Sequence, residues 1–139
     1  MVRVGLDFGD VRIGVALSDE LGLVASPLKV IPSRGWGKDA VSVAELVKEV
    51  GAGEIVIGMP RNMNGAYGAS AQKVRDFCER LREATDVSIV AWDERLSTVQ
   101  ASRALLEADL PRKRRRELID KTAAALILQN YLDYLQARG

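Results

Sequence analysis

The 139-residue chain has no histidine. That absence removes Ser–His and Cys–His nucleophile pairs, and with them the commonest zinc ligand. A single cysteine, Cys78, excludes an intramolecular disulfide and a thiolate zinc cluster, and it fits a reducing compartment. No apolar run reaches the roughly 18 residues that mark a membrane helix, and the N-terminus lacks the basic-then-apolar layout of a secretory signal. These absences point to a soluble, cytoplasmic protein with no membrane partner. A Gly-x-x-x-x-Gly-Lys-Ser/Thr loop is also missing, which weighs against nucleotide hydrolysis of the P-loop kind. Hydrolytic chemistry in such a chain must rest on carboxylates, hydroxyls, lysine or metal held through oxygen. Oxygen donors select hard cations such as Mg²⁺ or Mn²⁺.

What is present is enough for a full core. Apolar residues make up 47% of the chain, and its length suits one domain over residues 1–139. A domain of this size buries about two-thirds of the surface its unfolded chain exposes. The net charge is only +1, so the whole-molecule field says little about partners. The distribution says more: Arg112, Lys113, Arg114, Arg115 and Arg116 are consecutive. Such a run is either a solvated face or a phosphate-contacting patch.

The apolar pattern divides the chain into an antiparallel meander followed by alternating helices and strands. Residues 2–8 and 12–18 read as strands around the Gly9-Asp10 turn signal, and a third apolar stretch covers 23–31, ending before Pro32. Residues 39–50 place Ala40, Val43, Ala44, Leu46, Val47 and Val50 at helical spacing, with Gly51 and Gly53 ending the helix. A strand over 54–59 stops at Pro60, and a turn-rich loop follows. A helix from about 67 to 84 then buries Ala71, Val74, Phe77, Cys78 and Leu81. A strand at 87–92, a short helix near 99–108 and a long helix near 113–137 complete the order. A strand–helix–strand unit requires a right-handed crossover, so the strands at 54–59 and 87–92 should be parallel. The expected architecture is α/β: one mixed five-stranded sheet, antiparallel meander plus parallel strands, flanked by helices on both faces.

Against that frame a few acids are out of place. Asp7 sits in an otherwise apolar strand, where burying a charge costs several kcal/mol unless something compensates it. It is either a turn aspartate serving the Gly9 loop or a metal ligand at a strand end. Asp93 and Glu94 follow the 87–92 strand directly, at the carboxyl end where α/β proteins commonly hold ligands. One of the two is explained by pairing with Arg95 and by helix N-terminal charge, with Ser97 or Thr98 as the cap. Strand alternation puts Asp93 and Glu94 on opposite sides, and both stand as candidates. In the last helix Ala123, Ala124, Ile127, Leu128, Tyr131 and Leu135 form one stripe, and stepping back three or four residues lands on Asp120. An acid beside small alanines on the inward face is a site candidate. Three clustered carboxylates repel unless a cation offsets them or one takes up a proton, and two divalent ions about 4 Å apart would use the cluster for phosphoryl chemistry.

Weaker candidates surround these acids. Arg12 follows the Asp7 turn, Arg61, Asn62 and Asn64 lie in the loop after the 54–59 strand, and Lys121 adjoins Asp120. Cations near a helix N-terminus cost a few tenths to about 1 kcal/mol, a penalty the 112–116 run tolerates at five positions, which favours a polyanion role.

Four segments together resemble a known family. They are Asp7-Phe8-Gly9 with Arg12-Ile13-Gly14-Val15-Ala16; Gly58-Met59-Pro60-Arg61-Asn62-Met63-Asn64-Gly65; Asp93-Glu94-Arg95-Leu96-Ser97-Thr98; and Asp120-Lys121-Thr122-Ala123-Ala124-Ala125-Leu126-Ile127-Leu128. In this order and spacing, across nearly the whole chain, they resemble the YqgF (RuvX-type) proteins. The resemblance implies a ribonuclease-H-like fold similar to Holliday junction resolvases. It implies a cytoplasmic nuclease acting on the 5′ end of pre-16S rRNA, or on branched DNA. The acidic positions Asp7, Asp93 or Glu94, and Asp120 would then be catalytic and metal-binding, with Mg²⁺ or Mn²⁺ as cofactor. Arg12, Arg61, Asn62, Arg95 and the 112–116 run would meet the nucleic acid. A resolvase would also need a homodimer to cut two strands. One departure from the resolvase pattern stands out: the 54–59 strand ends in Gly58-Met59-Pro60 without an acid, so the middle carboxylate falls to Asp93 or Glu94. The rivals to a nuclease are a non-catalytic nucleic-acid-binding module and an actin-like phosphatase, which would need a second domain around its nucleotide.

Overall fold

The computed structural model describes residues 1–60, 68–93 and 112–138, with side chains of the last helix described from Thr122 onward. The loop candidates Arg61, Asn62 and Asn64, the residues Glu94 and Arg95, and the expected helix near 99–108 lie outside the described residues.

Five strands form one sheet in the order β3-β2-β1-β4-β5. The meander is β1 (Arg3–Phe8), β2 (Arg12–Ser18) and β3 (Ala25–Pro32), with antiparallel pairing throughout. Helix α1 (Trp36–Val50) then carries the chain across to β4 (Glu54–Met59), which runs parallel to β1. Helix α2 (Ala69–Ala84) leads to β5 (Ser88–Asp93), parallel to β4 as the crossover rule requires. Helix α3 (Arg112–Arg138) closes the described chain. The carboxyl ends of β1, β4 and β5 therefore point the same way.

Strand boundaries follow the expected pattern to within a residue or two, and two differences have clear causes. Helix α1 begins three residues before the expected start, because the apolar period does not register the polar first turn. There Asp39 accepts hydrogen bonds from the Ser33 hydroxyl (2.6 Å) and the Arg34 amide (2.9 Å), tying the preceding turn to the helix. Strand β3 runs through Pro32 because it is an edge strand, where a missing N–H costs no ladder bond. Its pairing also shifts between Val15 and Ala16, whose partners are Lys29 and Pro27, so Leu28 is an extra residue. Proline, lysine and a bulge blunt the exposed edge against pairing with another chain.

Each face of the sheet carries its own core. Val4, Leu6, Ile13, Val15, Ile55, Ile57 and Met59 face α1 and α2, whose contribution includes Val43, Val47, Val74, Phe77 and Leu81. Ala16 and Val56 face α3 and pack with Ala123, Ala124, Ile127, Leu128 and Leu132. The apolar stripe expected on the last helix is buried from Ala123 to Tyr131, with Leu132 added to it, while Leu135 is only partly buried.

Helix α3 comes unusually close to β1. A Cβ added at Gly5 would lie 2.7 Å from Leu128 Cβ and 2.9 Å from the Ala124 carbonyl oxygen, distances that no side chain tolerates without a shift. The helix is also pinned to the β2–β3 connection. The Gln129 side chain accepts from the Ala25 amide (2.8 Å) and donates to the Leu23 carbonyl (2.9 Å). At the amino end of β1, Arg3 forms a partly buried ion pair with Glu54 (2.7 Å) under Tyr131. Burial, and then the negative charge of Glu54, push the Tyr131 phenol up from its ordinary pKa.

Two outcomes follow from this packing. Gly5→Ala should cost about 1–3 kcal/mol by overpacking and lower Tm by several degrees, read by thermal unfolding of the pure protein. Burial, the largest influence, raises the Cys78 thiol above its usual pKa, so its thiolate fraction at neutral pH falls below that of a free cysteine. Reaction of native protein with a thiol reagent should then track unfolding, and rapid stoichiometric labelling of the folded chain would contradict the packing.

Candidate active site

Among the described residues three polar or charged side chains are buried: Asp7, Ser18 and Asp39. Two of them serve the backbone. Ser18 accepts the Arg3 amide (2.7 Å), and Asp39 locks the turn into α1. Asp7 differs in its place. It lies near the carboxyl end of β1, in the middle strand of the sheet, only 8% exposed.

Alternation along β1 decides which way this acid belongs. Val4 and Leu6 face α1 and α2, while Gly5 lies against α3, so the row Arg3, Gly5, Asp7 belongs to the α3 face. The register partner of Asp7 on β2 is Gly14, and on β4 the residue two beyond Val56 on the same face is Gly58. Neither of these neighbouring positions carries a side chain. Arg12, half-buried at the start of β2, shares the parity of Gly14 and so shares this face and this end of the sheet with Asp7. The turn between them is closed by the Gly9 amide on the Arg12 carbonyl (3.1 Å), and a Cβ at Gly9 would come within 2.8 Å of that same oxygen. The Asp7 turn can therefore be this tight only with glycine.

Helix α3 runs antiparallel to β1. Tyr131 lies over Arg3, at 6.0 Å from guanidinium to ring centroid, and Leu128 and Ala124 lie over Gly5. One helical turn advances 5.4 Å and two strand residues about 6.7 Å, so the next turn back, which holds residue 120, comes level with Asp7. The backbone thus brings positions 7 and 120 to one end of one face. The side chain of Asp120 lies outside the described ones, as do those of Lys121 and of Arg112, Lys113, Arg114, Arg115 and Arg116, whose backbone opens α3.

Of the pair 93–94, equal in the sequence, register places Asp93. Trp92 pairs with Gly58 and packs on Tyr131 and Tyr134 of α3, with ring centroids 5.3 and 5.2 Å apart. Asp93 pairs with Met59, a member of the α1–α2 core. Asp93 therefore occupies the row opposite to that of Asp7. Among the described residues no group of three or more Asp, Glu, His or Cys could hold a metal ion, and two of the four expected acids, Glu94 and Asp120, fall outside that search. Among the described residues the donor at this end of the α3 face is the Asp7 carboxylate, and the lone thiol, Cys78, is buried in the opposite layer. This donor chemistry fits a hard divalent cation.

Comparison with known proteins places the chain. Residues 1–134 match the family model RuvX, described as Holliday junction resolvase. A relative in Symbiobacterium thermophilum, provisionally named a pre-16S rRNA nuclease, is 54% identical over 134 residues, covering 96% of this chain and 93% of that one. A relative in Halothermothrix orenii bearing the same name is 48% identical over 131 residues, 94% of each chain. Among solved structures, a T. thermophilus RuvC in complex with a Holliday junction substrate superposes with a TM-score of 0.60 at 17% identity, over 96% of both chains. The fowlpox virus Holliday junction resolvase does so with a TM-score of 0.53 at 13% identity, over the full length of both. Likeness at that identity shows the shared fold, a mixed sheet of the ribonuclease-H kind covered by helices. The match over residues 1–134, with relatives near half identical along almost their entire length, shows that the chain belongs to the RuvX family and is a nuclease.

Proposed function

We propose that residues 1–139 act as one cytoplasmic nuclease domain that uses Mg²⁺ or Mn²⁺, held by Asp7, Glu94 and Asp120, to trim the 5′ end of pre-16S rRNA. The observation that carries this reading is Asp7: a carboxylate 8% exposed, at the carboxyl end of β1, level with the turn of α3 that holds residue 120. The rRNA substrate is favoured by the names of relatives near half identical to the chain. The Holliday junction reading rests on the family description and would further require a symmetric homodimer to cut two strands.

Glu94 is preferred to Asp93 on register. Asp93 pairs with Met59 of the α1–α2 core and so occupies the face opposite to that of Asp7, which leaves Glu94 as the remaining acid of the pair. Divalent ions bound by these oxygens would supply an activated water and stabilisation of the leaving oxygen. The chain's own residues prepare that chemistry. Asp7 is fixed by strand pairing on a rigid sheet, so its carboxylate needs little ordering when substrate arrives. Arg12 and the Arg112, Lys113, Arg114, Arg115 and Arg116 run offer cations to the phosphates beside the scissile bond, with Arg61, Asn62 and Arg95 as further nucleic-acid contacts.

The decisive measurement is cleavage of purified precursor rRNA, beside a four-way DNA junction, with and without divalent metal. Asp7→Asn and Glu94→Gln should each slow metal-dependent cleavage about 100-fold or more, roughly 3 kcal/mol of barrier, while Asp93→Asn slows it far less. Undiminished cleavage by Asp7→Asn would end the proposal, and cleavage of the junction alone would replace the substrate. Metal binding should also appear without turnover. At a concentration about 100 times Kd, a divalent ion should add about 2.7 kcal/mol to wild-type stability and raise its Tm. Asp7→Asn, melting no lower than wild type without metal, should show little of that rise.

A further inference from the structure

At the same end of the sheet as Asp7, but on the other face, three cations surround an indole. Arg34 lies in the β3–α1 connection, Trp36 and Lys38 open α1, and Arg80 reaches over from α2. With Gly35 and Gly37 they line a shallow cleft of about 510 Å³. A Cβ added at Gly37 would lie 3.8 Å from Arg80 Nη1, so the guanidinium stands directly over the helix start.

The usual explanation for surface cations is a solvated face balanced by acids, and here the balance is missing. Arg34, Lys38 and Arg80 are exposed, and none takes part in a salt bridge among the described residues, although the chain carries 19 acids. The neighbouring Asp39 does not supply it: that side chain is 1% exposed and accepts from the Ser33 hydroxyl and the Arg34 amide. Trp36 is equally specific. One side of the indole meets Phe8 edge-on at 5.9 Å, and Phe8 itself stacks on Phe77 at 4.5 Å, so the ring is braced from the core. Its flanking residues are both glycine. Gly35 has φ +104, a conformation that favours glycine, and a Cβ there would meet nothing within 4 Å. The indole remains partly exposed, with no side chain on either neighbour to cover it.

We propose that this cleft binds an unpaired stretch of the RNA substrate, with a base against Trp36 and backbone phosphates on Arg34, Lys38 and Arg80. The substrate class rests on the nuclease reading above; the geometry of the cleft does not depend on which acids hold metal. Cations spaced around a braced aromatic ring suit a single strand, whose splayed bases stack while its phosphates track a positive groove. A duplex keeps its bases stacked on one another and would leave the indole unused. Continuity with the active site is built into β1. Phe8 follows Asp7 in the chain and turns to the opposite face, so a strand passing over the carboxyl end of β1 leaves Asp7 and arrives at the ring that Phe8 braces.

The test is binding of a labelled unpaired RNA oligonucleotide, and of a duplex of the same sequence, to the full-length wild-type protein in chelator, followed by fluorescence anisotropy over a salt series. The variant Lys38→Gln/Arg80→Gln alters only exposed side chains; it should weaken binding of the single strand about tenfold and lower the salt slope by about 1–2. Trp36→Leu should weaken the single strand about fivefold or more and leave the duplex unaffected. Trp36→Phe, which keeps the contact with Phe8, should recover part of that loss. Affinities within about twofold of wild type for both the charge and the indole variants, with an unchanged salt slope, would overturn the cleft. Equal losses on single strand and duplex would overturn the stacking role of Trp36. Metal-dependent cleavage by the wild type is scored separately. If cleavage is absent while the variants bind poorly, the nuclease reading fails and the cleft stands. If cleavage is normal while the variants bind normally, the cleft fails alone.

Discussion

The close approach of α3 to β1 is the constraint from which the rest of the site follows. It depends on the absence of a side chain at Gly5, where the helix backbone and Leu128 already occupy the space a Cβ would need. Small residues continue the contact on both sides: Gly14 and Ala16 on β2, Ala123 and Ala124 on α3. A helix held this near brings its own backbone, and the acid one turn earlier, to the level of a strand-borne carboxylate. With larger residues in this row the helix would stand off by the width of a side chain, and positions 7 and 120 would share a face without sharing a site.

The two ends of that face are chemically distinct. Under the C-terminal half of α3, Arg3, Glu54 and Tyr131 form a compensated cluster in which the guanidinium and carboxylate satisfy each other at 2.7 Å. A partly buried pair of this kind specifies alignment more than it adds stability, since desolvation offsets part of the Coulomb gain. It holds β1, β4 and α3 in register at their far end. Toward the carboxyl end of β1 the same face carries Asp7, the parity position of Arg12 and the start of α3, where the chain concentrates five consecutive cations. One end thus anchors the layers, and the other is where the proposed chemistry is assigned.

The composition limits that chemistry sharply. Without histidine, and with one buried thiol in the opposite layer, metal ligation falls to oxygen. Carboxylates are weak bases near neutrality, so they act best by concentrating hard cations whose bound water is more acidic than bulk water. Arg and Lys positions occur on both faces at one end of the sheet. Arg34, Lys38 and Arg80 around Trp36 belong to the α1–α2 side, while Arg12 and the start of α3 belong to the other. A polyanion can then be held on both sides of the strand that bears Asp7.

Periodicity by itself determined the strands, the three described helices, their core faces and the parallel pairing of β4 with β5, because alternation and the 3.6-residue period are local consequences of burial. The same local logic marked Asp7 and Asp120 as charges in apolar rows, and the ordered motifs named the family. Three matters were decided only in three dimensions. The face that Asp93 takes depends on that of its neighbour Trp92, which is set by packing on Tyr131 and Tyr134, residues some forty positions away in the chain. The need for glycine at position 5 depends on a helix that arrives more than a hundred residues later. The basic cleft depends on α2 delivering Arg80 to the start of α1, a meeting of Arg34, Lys38 and Arg80 that no local window can contain. Burial patterns are written along the chain, whereas proximity between distant elements arises only when the layers close.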